Sequence, residues 1–174
     1  MKFDINLVKW IVCILIFGSI LTGVCCFISL IFPEYDISKL TRTLIFNASF
    51  PPRSFKYPDL GIKIFMIGYG LLYCWFGFRL TATIGILNDA IRERMFHNKQ
   101  ADELKKVADT VIAFAKLKFT LIMLCGVFFL MAPFNVLGFL PMFISLYILG
   151  KIILVFSFFL KNGQVIKQEN ELTI

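Results

Sequence analysis

The stretch Trp10–Phe32, WIVCILIFGSILTGVCCFISLIF, contains no charged residue and decides the class of the protein. It is about 23 residues long, which is roughly 34 Å as an α-helix at 1.5 Å per residue. The hydrocarbon core of a bilayer is about 30 Å thick, so this segment is long enough to cross a membrane once. Pro33 and Glu34 end the run. It is too long for a cleavable signal and has no small-residue cleavage site near its end, so we expect it to stay attached.

Three further apolar stretches are long enough to cross a bilayer. Together with the first one they predict an all-α membrane protein that forms a single domain over 1–174 and has four transmembrane helices. The charge-free link Pro133–Pro141 is short, so helices three and four are expected to form an antiparallel hairpin, and the four helices two such hairpins. The predicted helices are at about 10–32, 62–87, 113–132 and 142–160. The predicted connections are an outer loop at 33–61, a cytoplasmic loop at 88–112 and a cytoplasmic tail at 161–174.

The overall composition agrees with a membrane environment. Hydrophobic residues make up 59% of the chain, there are 21 Phe, and the mean hydropathy is +0.82. The formal net charge of +7 comes from basic residues that flank the apolar runs instead of lining one soluble face. Such flanking charges set orientation and contact anionic lipid. We therefore expect the lipid bilayer as a partner and no direct contact with nucleic acid.

The distribution of Lys and Arg predicts the orientation. The N-terminus, the 79–118 region and the tail together contain twelve of these residues, the 33–63 segment contains five, and the link at 133–141 contains none. Because cytoplasmic segments carry the excess of basic residues, both termini and the central loop are assigned to the cytoplasm. The outer segment is expected to be a small ordered cap, with Thr41–Phe46 in extended structure.

The central cytoplasmic segment has its own periodicity. Between 101 and 112, Leu104, Val107 and Val111 recur at helical spacing, and charged residues occupy the other face. This pattern predicts an amphipathic helix that leads into the third span. We expect it to lie on the membrane surface or against the tail, with its apolar face turned inward.

The sequence contains no recognisable catalytic arrangement. The single histidine, His97, lies in a loop, and no acidic residue falls inside a predicted span. The five cysteines all lie in apolar stretches, without a C-x-x-C motif or a histidine cluster, which is typical of small core residues. We therefore expect a protein that is not an enzyme and that binds no metal or cofactor.

Two basic residues inside the spans are the candidate intramembrane polar site. Lys151 lies nine residues after Met142, or roughly 14 Å into the fourth span. A charge at that depth is costly, so Lys151 is either an anion or partner contact, for example in a homo-oligomer, or a lysine that is only tolerated. Arg79 lies roughly 24 Å from Lys63 along the second helix, near the far interface, where its side chain can anchor to headgroups.

Two segments resemble a known family. The ending Gly163–Ile174, GQVIKQENELTI, is similar to that of an uncharacterised family of small bacterial four-helix membrane proteins, a domain-of-unknown-function family. Its members tend to finish with a glycine followed by Glu-Asn-Asp-Leu-Thr-Ile, and here Glu171 replaces the Asp. The stretch Phe96–Ala108 is similar to a second landmark, a Phe before a capped helix with a Leu and a basic pair. In it, His97 stands where Thr is common and Gln100 where Asn is common.

The resemblance implies a bacterial cytoplasmic-membrane protein whose gene often sits beside that of a small helix-turn-helix regulator. It implies no activity. The polar tail is too short to fold alone, and its last six residues are the candidate partner contact: Glu169, Asn170, Glu171, Leu172, Thr173 and Ile174. The leading hypothesis is a non-enzymatic accessory or regulatory protein that presents a cytoplasmic face to a protein partner. The alternative is an oligomeric pathway or carrier for a small or anionic solute, using Lys151 and Arg79.

Overall fold

The computed structural model of the chain describes residues 2–32, 40–41, 44–45, 58–91, 100–129 and 139–172. Within these ranges there are four long helices and no strand. Each helix contains a segment long and apolar enough to cross a membrane, which confirms the predicted all-α class and the number of spans. The helices are α1 (Lys2–Ile31), α2 (Pro58–Ile91), α3 (Gln100–Phe129) and α4 (Leu140–Leu172).

Helix ends follow local chemistry. Pro58 begins α2 and Pro141 lies in the first turn of α4. A backbone N–H at these positions would have no acceptor within the helix, so proline costs no hydrogen bond there. A helix was predicted to lead into the third span at 113–132, and α3 runs without interruption from Gln100, since neither Gly nor Pro occurs between 100 and 125. The polar tail at 161–174 was predicted to be too short to fold alone. Instead, α4 continues to Leu172, since this stretch lacks proline and is rich in helix-forming Lys, Gln and Glu.

The segment predicted as an amphipathic surface helix packs among the other helices. Val107 and Val111 are each only 4% exposed, and Leu104 is half-buried. Val107 belongs to an apolar cluster with Ile16 of α1 and Leu80 of α2. The apolar side of this part of α3 therefore faces its neighbouring helices, not a membrane surface or the tail as predicted. The extracytoplasmic cap stays a prediction, but Leu40, Thr41, Leu44 and Ile45 are helical, so the expected extended structure there is wrong.

Helices α1 and α2 are antiparallel and approach closely at glycines. Gly77 lies against Ile20, and Gly23 lies against Gly70, so residue numbers rise along α1 as they fall along α2. A Cβ atom added to Gly23 would be 2.9 Å from the carbonyl oxygen of Gly70. Small residues that let two backbones approach in this way are typical of helix pairs in membranes, where van der Waals packing replaces the hydrophobic effect.

Helices α3 and α4 are also antiparallel. Gly150 lies against the backbone of Ala108 and Ile112, and the Ser157 hydroxyl donates a hydrogen bond to the carbonyl oxygen of Ala101 at 2.7 Å. Because Ser157 is level with Ala101, the last residues of α4, from about 161 onward, extend past the start of α3. We call residues 161–172 the α4 extension. Its length is roughly 18 Å at 1.5 Å per residue.

The core lies mainly between α1, α2 and α3. Two of the five cysteines, Cys26 and Cys125, are buried in this core, and the other three are half-buried. All five are free thiols. Large apolar side chains cover the outside of the helices, most of all on α4, where Phe156, Phe158 and Phe159 are each more than half exposed. An outer surface of this kind suits lipid. The main core cluster contains Cys26, Phe65, Met66, Tyr69, Ile122 and Cys125.

Candidate functional site

The most unusual polar residue in the helices is Lys118. It lies on α3, it is only 6% exposed, and its Nζ donates a hydrogen bond of 2.7 Å to the hydroxyl oxygen of Tyr73 on α2. Phe114 precedes it by four residues and therefore lies on the same face of α3. That face packs against α2, as the stacked rings of Phe114 and Phe76 show, with centroids 4.0 Å apart. Lys118 is buried because it continues this face.

Aromatic rings surround the Lys118 amine. Its Nζ lies 5.2 Å from the ring centroid of Tyr73, 5.4 Å from that of Tyr69 and 5.9 Å from that of Phe114. We call these three residues the aromatic cage. A cation over a ring face within about 6 Å of the centroid is attracted by the electrons of that face, as for Tyr69 and Phe114, whereas the amine meets Tyr73 at its hydroxyl. The rings of Tyr69 and Tyr73 stack at 4.5 Å, and Tyr73 meets Phe114 edge to face at 5.2 Å, so the cage is held by its own contacts.

The hydrogen bonds at this site do not use all of the N–H and O–H donors of Lys118 and Tyr73. The Tyr69 hydroxyl donates to the Tyr73 hydroxyl at 3.0 Å, so the oxygen of Tyr73 accepts from both Tyr69 and Lys118. An ammonium has three N–H donors and a phenol has one O–H donor. Two N–H groups of Lys118 and the O–H group of Tyr73 therefore remain for another acceptor. Among the residues that the structure covers, no Asp or Glu pairs with Lys118.

A small cavity adjoins Lys118 on the side of α4. It lies between α3 and α4, has a volume of about 20 Å³, and is lined by Lys118 together with apolar residues that include Phe119, Met142 and Phe143. A space of about 10–15 Å³ on this measure holds one water molecule. The cavity therefore has room for one water-sized species beside a buried amine.

The two basic residues predicted from the sequence do not form a common site. Lys151 is exposed on α4, with its Nζ 5.6 Å from the ring centroid of Tyr147, and Lys116 of α3 approaches the same ring at 5.9 Å. Arg79 is exposed on α2. Helix α3 packs against both α2 and α4 and so lies between the helices that carry Arg79 and Lys151.

The predicted partner-contact tail is partly covered by the structure. Glu169 is exposed and has an interaction partner, while Thr173 and Ile174 lie outside the described residues. Earlier in the α4 extension, Val165 and Ile166 are 48% and 59% exposed. These are apolar side chains on a helix that has passed the start of α3.

Sequence reasoning missed Lys118 because the charge count took Lys116 and Lys118 only as part of the basic 79–118 region, at the start of the predicted third span. The structure places both within α3 and buries Lys118 among the helices. A signal was present in the sequence. Tyr69 and Tyr73 are four residues apart on one apolar helix, and Phe114 and Lys118 are four residues apart on another.

Comparison with known proteins gives one match. A family model described as "Protein of unknown function (DUF2975)" matches residues 48–174, more than two thirds of the chain. The matched region includes the aromatic cage, Lys118 and the α4 extension, and it leaves α1 outside. No curated protein and no solved structure matches the chain.

Proposed function

This chain belongs to the DUF2975 family, whose description assigns no activity, and we propose that it is a non-enzymatic accessory or regulatory protein of a bacterial cytoplasmic membrane. In this proposal both termini and the 92–99 connection face the cytoplasm, the helices form two hairpins, and the 33–57 segment forms a cap outside. The α4 extension then projects into the cytoplasm and contacts a protein partner.

The observation that supports this role is the exposure of Val165 and Ile166. The α4 extension is helical, so it presents these side chains at fixed positions, and it passes the start of α3. Gln164, directly before them, is only 7% exposed, so one side of the extension is already covered and the other is free to contact a second surface. Docking an apolar helix side into a groove is a common mode of protein recognition.

The charges of the extension favour a protein partner over nucleic acid. Two lysines are followed by two glutamates along it, so their charges balance: Lys161, Lys167, Glu169 and Glu171. Binding to nucleic acid requires an excess of positive charge to neutralise phosphates, and this balance does not provide one.

The alternative of a pathway or carrier for a small solute has less support. It relied on Lys151 and Arg79, which lie on helices on either side of α3 and are both exposed. The alternative is itself oligomeric, but neither residue lines the cavity beside Lys118 or the apolar pocket between α2 and α3. We therefore favour the accessory role.

Site-specific photo-crosslinking in native membranes tests this proposal. A photoreactive residue at Ile166 should give a discrete protein adduct in addition to any lipid adduct, because the proposed partner covers this position. The matched control is the same residue at Phe158, which is 62% exposed on α4 and should label lipid. A Val165→Asp/Ile166→Asp variant should lose the protein adduct formed from a probe at Lys161. Lipid adducts alone from Ile166 would contradict the proposed function.

A further inference from the structure

We propose that Lys118, Tyr73 and the adjoining cavity form a binding site for one small monovalent anion of the chloride class. This site lies between α2, α3 and α4 and is separate from the α4 extension, so it does not depend on the proposed function. The inference combines a buried amine that no carboxylate pairs with in the described part of the chain, donors without a described acceptor, and a space of matching size.

The first step concerns charge. Lys118 is 94% buried, it has no carboxylate partner in the described part of the chain, and its surroundings are three aromatic rings and one phenol oxygen. A buried charge is costly unless it is paired. Ring faces offset part of this cost, but they do not neutralise the charge. A bound monovalent anion would do so.

The second step concerns donors. The Tyr73 oxygen already accepts from Tyr69 and Lys118, so the hydrogen of its own hydroxyl is available to donate. The two spare N–H groups of Lys118 lie beside it. These three donors belong to two adjacent groups, of which Lys118 lines the cavity and Tyr73 contacts Lys118 from α2. With the Tyr73 oxygen already occupied as an acceptor, they favour an anion over a cation.

The third step concerns size. The cavity of about 20 Å³ beside Lys118 has room for one water-sized species, which excludes an organic carboxylate or a phosphate unless the helices move apart. Apart from Lys118, its lining is apolar, as in Phe119 and Met142. Such a site suits an ion that gives up its water easily, and a monovalent halide meets this condition better than a multivalent anion.

The experiment uses the purified full-length protein in detergent, with sodium chloride replaced by sodium gluconate at constant ionic strength. Two readouts are taken: the thermal unfolding midpoint and the line width of the ³⁵Cl NMR signal. For the wild type, chloride should raise the midpoint and broaden the line, because a ligand that binds only the folded state stabilises it. Bromide added in excess should compete and narrow the line again.

Two variants and one control locate the effect. Lys118→Met keeps the length of the side chain without the amine, and it should fold at least as stably in gluconate and lose both chloride effects. Tyr73→Phe removes one donor and should weaken chloride binding about tenfold, in line with a hydrogen bond to a charged group. Lys116→Met, an exposed lysine on the same helix, should keep the wild-type response.

Three outcomes would overturn the proposal. One is a wild-type protein that shows no chloride-dependent broadening, which means that the cavity holds only water. Another is a folded Lys118→Met variant that broadens the line as the wild type does. If Lys118→Met fails to fold, Tyr73→Phe decides the question, and unchanged chloride affinity in that variant contradicts the site.

Discussion

Lys118 of α3 and Tyr73 of α2 are joined by a hydrogen bond of 2.7 Å in a part of the protein that contains almost only apolar groups. Tyr73→Phe removes the oxygen and leaves the amine without that acceptor. We expect the free energy of unfolding to fall by about 1–3 kcal/mol, measured by thermal or SDS-induced unfolding in chloride-free buffer. Adding Lys118→Met to this variant should recover most of the loss, since the buried amine is then absent. Tyr147→Phe is the control. An equal loss of unfolding free energy in that variant would contradict a specific role for the Tyr73 hydroxyl.

The α1–α2 contact makes a prediction about two glycines on one helix. Gly23→Ala places a Cβ 2.9 Å from the carbonyl oxygen of Gly70, a backbone atom that cannot move aside, so we expect clear destabilisation. Gly18→Ala meets nothing within 4 Å and should be neutral or stabilising by about 0.5–1 kcal/mol, because alanine has the higher helix propensity. The measurement is unfolding of both variants in the same detergent. Equal stability of the two would show that the helices are farther apart than described.

Lys151 provides a test of the sequence-based hypothesis for the intramembrane charge. Its amine is exposed and lies near the ring of Tyr147, so replacing it with an apolar residue removes no described hydrogen bond or ion pair. Lys151→Leu should therefore keep or raise the thermal stability in membranes or detergent, because a lysine facing lipid is costly. A marked loss of stability would show that the amine has a partner, such as a second copy of the chain.

The orientation is tested by labelling in intact cells. Tags at Met1, Asn98 and Ile174 should be protected from a reagent that does not cross membranes, while a tag at Asn47 should react. If Lys116 and Lys118 are left out of the count, the basic residues assigned to the cytoplasm fall from twelve to ten, against five outside. The asymmetry therefore remains. A reactive tag at Asn98 would reverse the topology.

The sequence was sufficient for the helices because a span is a local property. Length, hydropathy and the absence of charge in a stretch such as 10–32 are matched directly against the thickness of a bilayer. The site was not predictable in the same way. A charge count treats Lys118 as an interfacial residue, and only the packing of α3 against α2 brings its amine to Tyr73. The spacing of Tyr69 and Tyr73 indicates a shared face, but it does not identify which residue of another helix that face meets.

Helix α3 begins well before the predicted third span for a related reason. The charged residues between 102 and 109 suggested a helix outside the membrane, because charge is the main signal of a loop in hydropathy analysis. Charged side chains do not end a helix. Because this stretch contains no Gly or Pro, α3 continues through the charged residues into the apolar ones. Packing then places Val107 and Val111 inside and leaves Asp102, Lys105 and Asp109 exposed.

The main contacts of every helix are with the helix that comes before or after it in the chain. This arrangement has a consequence for biosynthesis. As the ribosome delivers each helix to the bilayer, its main packing partner has already been inserted, so α1 receives α2, α2 receives α3, and α3 receives α4. Assembly can therefore proceed in the order of translation. Each newly inserted helix covers the glycine surface that it shares with the preceding helix, so that surface is not left open to other membrane proteins.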